Sequence, residues 1–181
     1  MFDGLKLRYT EKDKPHPLNY YAKTKLVMEY VLSTLDMNYM IARTAVLYGI
    51  GGSGKVSFPT WILDKLKKKE KVNALTDQKN NPTFVDSLCE FLFRLYQKDE
   101  VGTFHITGNE CISRYDFAKK VAETFELDEG LIAPLTSPEL NQIAPRPASV
   151  NMISEKAERA ASIRTLSVDE GLELFKRQLA I

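Results

Sequence analysis

Cysteine and histidine are scarce, with two of each in 181 residues. Cys89 and Cys111 form no CxxC pair and have no histidine cluster nearby, so a cysteine-based metal site is excluded and both are expected to be reduced, packed thiols. No stretch reaches the roughly 18 to 20 apolar residues of a membrane span, and the first residues lack the basic-then-apolar order of a secretory signal. A cytoplasmic location and no membrane partner are therefore expected. A large charge of one sign is also missing: 25 basic against 24 acidic residues leave a net charge of +1, too little for a broad nucleic-acid footprint. The one local basic run, Lys65, Lys67, Lys68, Lys69 and Lys71, reads as a solvated helix end. No internal repeat is present. With 44% hydrophobic and 27% charged residues, the chain has the composition of a globular protein that buries a real core.

Hydrophobic spacing orders that core. A helix is expected from Pro17 or Leu18 to about Leu35, then a strand from Tyr39 to Leu47 buried on both faces. Gly49 to Gly54 make a glycine loop. A helix from about Val56 to Lys69, holding the single tryptophan Trp61, and a strand near Lys71 to Leu75 follow. Thr76 to Thr83 is polar; after it Phe84, Val85, Leu88, Phe91, Leu92 and Leu95 have amphipathic-helix spacing. Gly102 to Ile106 reads as a strand. Ser113 is the N-cap of a helix running to about Phe125, with Asp116 as its capping-box acid. Pro134, Pro138, Pro145 and Pro147 break residues 131 to 150 into loops, and two short helices are expected near Ser154 to Ala161 and Ser167 to Leu179. Helices alternating with short apolar strands indicate α/β architecture with a parallel sheet.

Tyr21 and Lys25 are four residues apart, so on a helix they share one face and can address one bound molecule. An ammonium beside a phenol favours the phenolate, which makes tyrosine a usable general acid toward a carbonyl. The plainer reading of such a pair is a helix-surface contact. Gly49-Ile50-Gly51-Gly52-Ser53-Gly54-Lys55 satisfies GxxxxGK after a strand, the pattern of a phosphate-binding loop, but Val56 stands where magnesium needs a Ser or Thr hydroxyl. Arg43, inside a strand, suits a paired structural arginine or a phosphate ligand equally well. His105, between Phe104 and Ile106, reads as a satisfied core histidine, and His16, between two prolines, as exposed.

In context the pair carries more. Pro17-Leu18-Asn19-Tyr20-Tyr21-Ala22-Lys23-Thr24-Lys25-Leu26 is followed by Ile41-Ala42-Arg43-Thr44-Ala45-Val46-Leu47-Tyr48-Gly49. This order resembles the extended short-chain dehydrogenase/reductases, most closely the dTDP-4-dehydrorhamnose reductase family. Phe2-Asp3-Gly4 resembles the end of that family's TDYVFDG segment, and Asp77-Gln78 with Pro82-Thr83 its DQ…PT loop. Gly102 to Gly108 resembles its GxYHxxG strand, Ser113 to Ala118 the next helix start, and Ala144-Pro145-Arg146-Pro147 the late RP turn.

The resemblance implies the C-terminal part of a Rossmann-like doubly wound parallel sheet plus a small α/β substrate-binding lobe. Residues 1–50 would be the remnant of the NAD(P)-binding domain and 51–181 mostly the substrate lobe, with 84–107 returning to the Rossmann sheet. It implies NADPH-dependent reduction of the 4-keto group of a deoxy-sugar nucleotide, with NADP(H) or NAD(H) as cofactor. Tyr21 would protonate the oxygen, Lys25 would hold the nicotinamide ribose, and Thr44, Ala45 and Val46 would line the nicotinamide pocket. Asp77, Gln78, Thr83 and Arg146 would shape the sugar-nucleotide site. The family's catalytic Ser or Thr and its dinucleotide-binding glycine turn are expected upstream of Met1, so the isolated chain is expected to be a truncated, inactive form. Val46 replaces a tryptophan frequent in bacterial members. An exposed edge on the Tyr39 to Leu47 strand is expected to promote self-association. The fold also admits a non-catalytic regulatory subunit.

Overall fold

The computed structural model describes residues 1–50, 56–140 and 142–179. Its helices are α1 (Tyr20–Ser33), α2 (Phe58–Lys67), α3 (Val85–Gln97), α4 (Arg114–Thr124), α5 (Ser137–Leu140), α6 (Glu155–Ala161) and α7 (Val168–Leu179). Its strands are β1 (Met40–Arg43), β2 (Leu47–Tyr48), β3 (Val72–Leu75), β4 (Lys79–Asn80), β5 (Thr83–Phe84), β6 (Gly102–His105), β7 (Ile112–Ser113), β8 (Ile132–Leu135) and β9 (Ser149–Val150). The expected α/β class with parallel pairing is what folds: β1 pairs with β6, β2 with β5 and β3 with β8, all parallel. A three-stranded sheet of order β7-β4-β9 is mixed, with β4 antiparallel to β7 and parallel to β9.

Local chemistry accounts for the helix starts. Asn19, in extended conformation, accepts the Ala22 amide and caps α1, so the helix begins after Asn19 rather than at Pro17. Ser57 caps α2, where Pro59 sits in the first turn and loses no hydrogen bond. Ser113 caps α4 by accepting the Asp116 amide at 2.9 Å, and its hydroxyl donates to the Asp116 carboxylate at 2.6 Å. The expected N-cap is present, but Asp116 answers the Ser113 hydroxyl and not its backbone N–H, so the capping box is only half formed.

Four expectations are corrected. The single strand over Tyr39 to Leu47 is two strands, and none of β1 is fully buried. Val46 has a left-handed φ of 44°, which an extended β-branched residue cannot adopt, so the ladder breaks at Thr44-Ala45-Val46 and the chain changes partners from β6 to β5. Residues 131 to 150 are not all loop: β8, α5 and β9 lie there. Pro134 is accommodated because, among the described residues, β8 has a neighbour, β3, on one side only. Lys79 to Phe84 holds β4 and β5, so Phe84, expected in the helix, is strand and α3 starts at Val85. Cys89 is exposed on α3, not packed, whereas Cys111 is partly buried.

The main core lies among α2, α4, α7 and β3, around Tyr48, Ile62, Leu66, Phe117, Leu172 and Phe175. Full burial of each such large side chain contributes roughly 1.5–3 kcal/mol. Gly171 lets α7 close on this core, since a Cβ there would sit 2.1 Å from the Tyr48 hydroxyl. A second core joins α3, α6 and β6 through Phe91, Leu95, Phe104 and Ala157. A third, of Phe2, Tyr9, Val150 and Met152, ties the N-terminal segment to the chain entering α6.

Candidate functional site

Helix α1 presents Tyr21 and Lys25 together. The Lys25 Nζ lies 5.5 Å from the centroid of the Tyr21 ring, and Tyr21 is 70% exposed, so its hydroxyl is open to a ligand. Only Ala22 of α1 is buried, and polar bonds hold the helix in place. Arg43 on β1 grips Glu29 on α1 through two hydrogen bonds, Nε to Oε1 at 2.9 Å and Nη2 to Oε2 at 2.6 Å. The same guanidinium stacks on Phe2. Arg43 is thus the structural partner of the two readings its position allowed. His105 is buried beside it, its Nε2 3.4 Å from Arg43, while its backbone N–H donates to Glu11. Burial pushes the imidazole toward its neutral form. The histidine is core, as expected, but not satisfied, because its Nδ1 has no partner among the described residues.

Thr44, Ala45 and Val46 connect β1 to β2. The Val46 carbonyl accepts the Thr83 amide at 3.2 Å, which locks the strained turn to β5. The buried Thr44 hydroxyl has no protein partner among the described residues. A polar atom left over beside the segment expected to face a nicotinamide fits a polar ligand there.

The sugar-side residues meet elsewhere. A cavity of about 380 Å³ is lined by Gln78, Ser137, Gln142, Pro145 and Arg146, among others. The Gln78 amide donates to Ser137 Oγ at 2.8 Å and to Gln142 Oε1 at 2.7 Å. The Asp77 carboxylate accepts both the backbone N–H and the hydroxyl of Ser137, at 2.9 Å each, and these bonds hold it below its usual range. Asp77 therefore shapes the site by anchoring the start of α5. Thr83 does not join it: it is buried, its hydroxyl donating to the Asn81 carbonyl and accepting the Gly108 amide. Gly108 must be glycine there, since a Cβ would meet the Pro82 carbonyl at 2.1 Å. A larger groove of about 560 Å³ between α3 and α7 contains none of the expected site residues.

Asn19 connects the two groups. Its Oδ1 accepts the Ala22 amide at 2.9 Å while its Nδ2 donates to the Pro145 carbonyl at 2.9 Å, so one side chain starts the helix of Tyr21 and holds the turn of Arg146. Ser137 and Gln142 are further site residues that sequence reasoning passed over; no local pattern marks them.

The GxxxxGK segment, which also has the spacing GxGxxG of a dinucleotide turn, lies largely outside the described residues. Its flanks suit neither motif: β2 pairs with β5 and β3 with β8, so β2, α2 and β3 do not form the βαβ unit that either requires. Among the described residues there is no group of three or more His, Cys, Asp or Glu placed to hold a metal ion, and no helix is long and apolar enough to cross a membrane.

The chain is similar to known proteins over most of its length. The dTDP-4-dehydrorhamnose reductase of Aggregatibacter actinomycetemcomitans is 30% identical over 91% of this chain and 59% of its own length. Methionine adenosyltransferase 2 subunit beta of Rattus norvegicus is 33% identical over 83% of this chain and 47% of its own. The crystal structure of a Bacillus anthracis dTDP-4-dehydrorhamnose reductase in complex with NADP superposes with a TM-score of 0.89 at 27% identity, over 98% of this chain and 62% of that one. The chain thus spans about half to three-fifths of the length of these relatives. Residues 1–181 match the RmlD substrate binding domain throughout, and the chain belongs to that family.

Proposed function

We propose that this chain supplies the proton donor and the sugar-nucleotide site of an NADPH-dependent reductase acting on the 4-keto group of a dTDP-deoxysugar. The observation that carries this is the Asn19 bridge, which joins the helix bearing Tyr21 and Lys25 to the turn bearing Arg146. The similarity to dTDP-4-dehydrorhamnose reductases supports the substrate class. In this reading residues 1–50 and 84–107 belong to the cofactor-binding sheet and the remainder to the substrate lobe.

Tyr21, open to solvent, donates the proton of its hydroxyl to the developing alkoxide. Lys25, on the same face, keeps positive charge beside the phenolate that remains. Gln78 and Arg146 hold the nucleotide portion, with Gln78 oriented by Ser137 and Gln142. Thr44 to Val46 and Lys25 would border NADPH, which supplies the hydride when bound. The described residues contain no glycine-rich βα turn for the dinucleotide phosphates, so the 181-residue chain binds the sugar nucleotide without turning it over.

In a protein that joins this domain to a dinucleotide-binding portion, NADPH oxidation with dTDP-4-dehydrorhamnose should be abolished by Tyr21→Phe while NADPH binding persists. Undiminished turnover removes Tyr21 from the mechanism, and steady NADPH consumption by the 181-residue chain alone would show it to be self-sufficient. The similarity to methionine adenosyltransferase 2 subunit beta favours a second reading, a non-catalytic subunit of the same fold. Absence of turnover in the joined protein, with intact NADPH and dTDP binding, would select it.

A further inference from the structure

The groove of about 560 Å³ between α3 and α7 has an apolar floor drawn from two cores. Phe84 belongs to the first core and Leu166 packs against it, while Ile163 packs against the second. Leu174 of α7 adds a fourth apolar side chain and is 38% exposed. Apolar surface left in contact with water favours a partner that removes it. On α3 the lining runs from Asp86 to Arg94, eight residues or about 12 Å of helix. A trough of that length takes three anchors of a second helix, at i, i+3 or i+4 and i+7, which span about 10.5 Å.

Polar side chains stand along the edges, and most are satisfied within the chain. Arg94 donates to Glu90 at 2.6 Å, the Gln178 amide donates to Asp86 at 2.5 Å, and Glu170 holds the Arg164 guanidinium. Arg177 is the exception, with no ion pair among the described residues. Three arginines against two carboxylates leave the lining with a net charge of +1. The complement of this surface is therefore an apolar stripe flanked by acid.

That charge also selects among occupants. The helix of this chain that exposes the most large apolar side chains, α1, carries Lys23 and Lys25 and a single acid, Glu29, which Arg43 already holds. A second copy docking through α1 would bring cations to an arginine rim. A small ligand fits less well too, because the groove is open and none of the polar side chains lining it is fully buried to fix an orientation. We propose that the α3–α7 groove docks an acidic amphipathic helix of a partner protein, with three apolar side chains on the floor and a carboxylate on Arg177.

A phage-displayed library of helix-forming peptides of about 15 residues, panned on the 181-residue chain and counter-panned on Leu174→Lys, tests the proposal. Enriched sequences should share apolar residues at i, i+3 or i+4 and i+7, with Asp or Glu beside them. In fluorescence anisotropy the selected peptide should bind Leu174→Lys at least about tenfold more weakly, the loss of a central apolar anchor. Leu174→Ala, which leaves the surface uncharged, should repeat that loss in weaker form and serves if the lysine variant does not fold. Arg177→Gln should weaken binding by about two- to fivefold, the weight of one exposed ion pair, and high salt should erase that difference while leaving the Leu174 effect. A lowered melting temperature of Arg177→Gln with peptide affinity intact would confine Arg177 to opposing the dipole at the end of α7 and overturn its role. Selected peptides that are basic or lack the helical spacing, no enrichment on the wild type, or equal binding by wild type and Leu174→Ala overturns the docking site. Light scattering that shows Leu174→Lys dissociating the chain, with no peptide enriched, would instead make the groove an interface between copies.

Discussion

Replacing Asn19 with aspartate separates two jobs that the native side chain does at once. Its Oδ1 caps α1 through the Ala22 amide, and its Nδ2 holds the Pro145 carbonyl, both at 2.9 Å. Aspartate keeps the capping oxygen and places negative charge at a helix N-terminus, where it is favourable by about 0.3–1 kcal/mol. It has no donor for Pro145, so the bridge goes, at a net cost of about 0.5–1.5 kcal/mol. The two effects nearly cancel in global stability. Alanine loses the cap as well, for roughly 0.5–2 kcal/mol more, a total of about 1–3.5 kcal/mol. Urea denaturation should therefore place Asn19→Asp within about 1 kcal/mol of wild type and Asn19→Ala clearly below it. Amide hydrogen exchange should tell the same story locally. Residues 142–148 should exchange about two to ten times faster in both variants, the rate equivalent of one net hydrogen bond, whereas the first turn of α1 should fray only in the alanine variant. Unchanged exchange over 142–148 in both variants would refute the bridge and with it the coupling between the Tyr21 helix and the Arg146 turn.

Asn81 is buried and bonds the Gly108 carbonyl and the Met152 amide, each at 3.0 Å. Asn81→Ala leaves both groups unmatched, at roughly 1–3 kcal/mol each, and calorimetry should show a melting temperature lower by about 5–15 °C; a fall of under about 2 °C would mean that water replaces the side chain. The Glu170 carboxyl is held down to about 2, first by Arg164 and then by the Ser167 amide. A carboxylate depressed in the folded state stabilises above its unfolded value and loses that contribution as pH falls, so the urea midpoint should drop between about pH 4.5 and 2. Glu170→Gln should flatten that drop, and added salt should shrink it, since the pair is exposed; identical pH profiles in variant and wild type would rule the pair out as a contributor. Tyr20, Val27, Met28 and Val31 are exposed along α1 and Leu35 just after it, and β1 has one strand neighbour, β6, among the described residues. The 181-residue chain should therefore self-associate in light scattering, with Val27→Lys and Val31→Lys together returning it to monomer; a monomer at all concentrations would mean that neither surface is sticky enough to matter.

The elements legible from sequence are those whose burial is decided within their own span. Helix α3 carries its stripe in Leu88, Phe91 and Leu95, and α7 in Val168, Leu172 and Phe175, all buried at helical spacing. Ser113 and Asp116 mark a helix start by contacts three residues apart. The two-residue strands β2, β4, β5, β7 and β9 have no period to detect, and each exists because a distant segment pairs with it. Prolines misled for the same reason. Pro134 breaks a strand only where both neighbours need its amide, and sequence does not reveal that β8 has one neighbour among the described residues. Val46 hid the opposite error: a β-branched residue in an apolar run reads as strand, yet it holds the left-handed turn that ends β1.

The same distinction divides the site. Tyr21 and Lys25 are visible because an i, i+4 pair on one helix needs no tertiary contact to be brought together. Gln78 meets Ser137 and Gln142 across 59 and 64 residues, and Asn19 meets Pro145 across 126. No spacing rule reaches so far, and only the ordered resemblance placed Gln78 and Arg146 on one ligand. What the fold adds is a physical dependence between the parts. Tyr21, the proposed acid, is carried on a helix with a single buried residue, tied down through Glu29 and Arg43 and at its start by Asn19. Of these anchors only Asn19 also touches the sugar-side turn, so the orientation of Tyr21 follows the position of Arg146 through one amide group. A ligand that draws the Arg146 turn inward would therefore also set the start of the helix, two residues before the tyrosine proposed to deliver the proton.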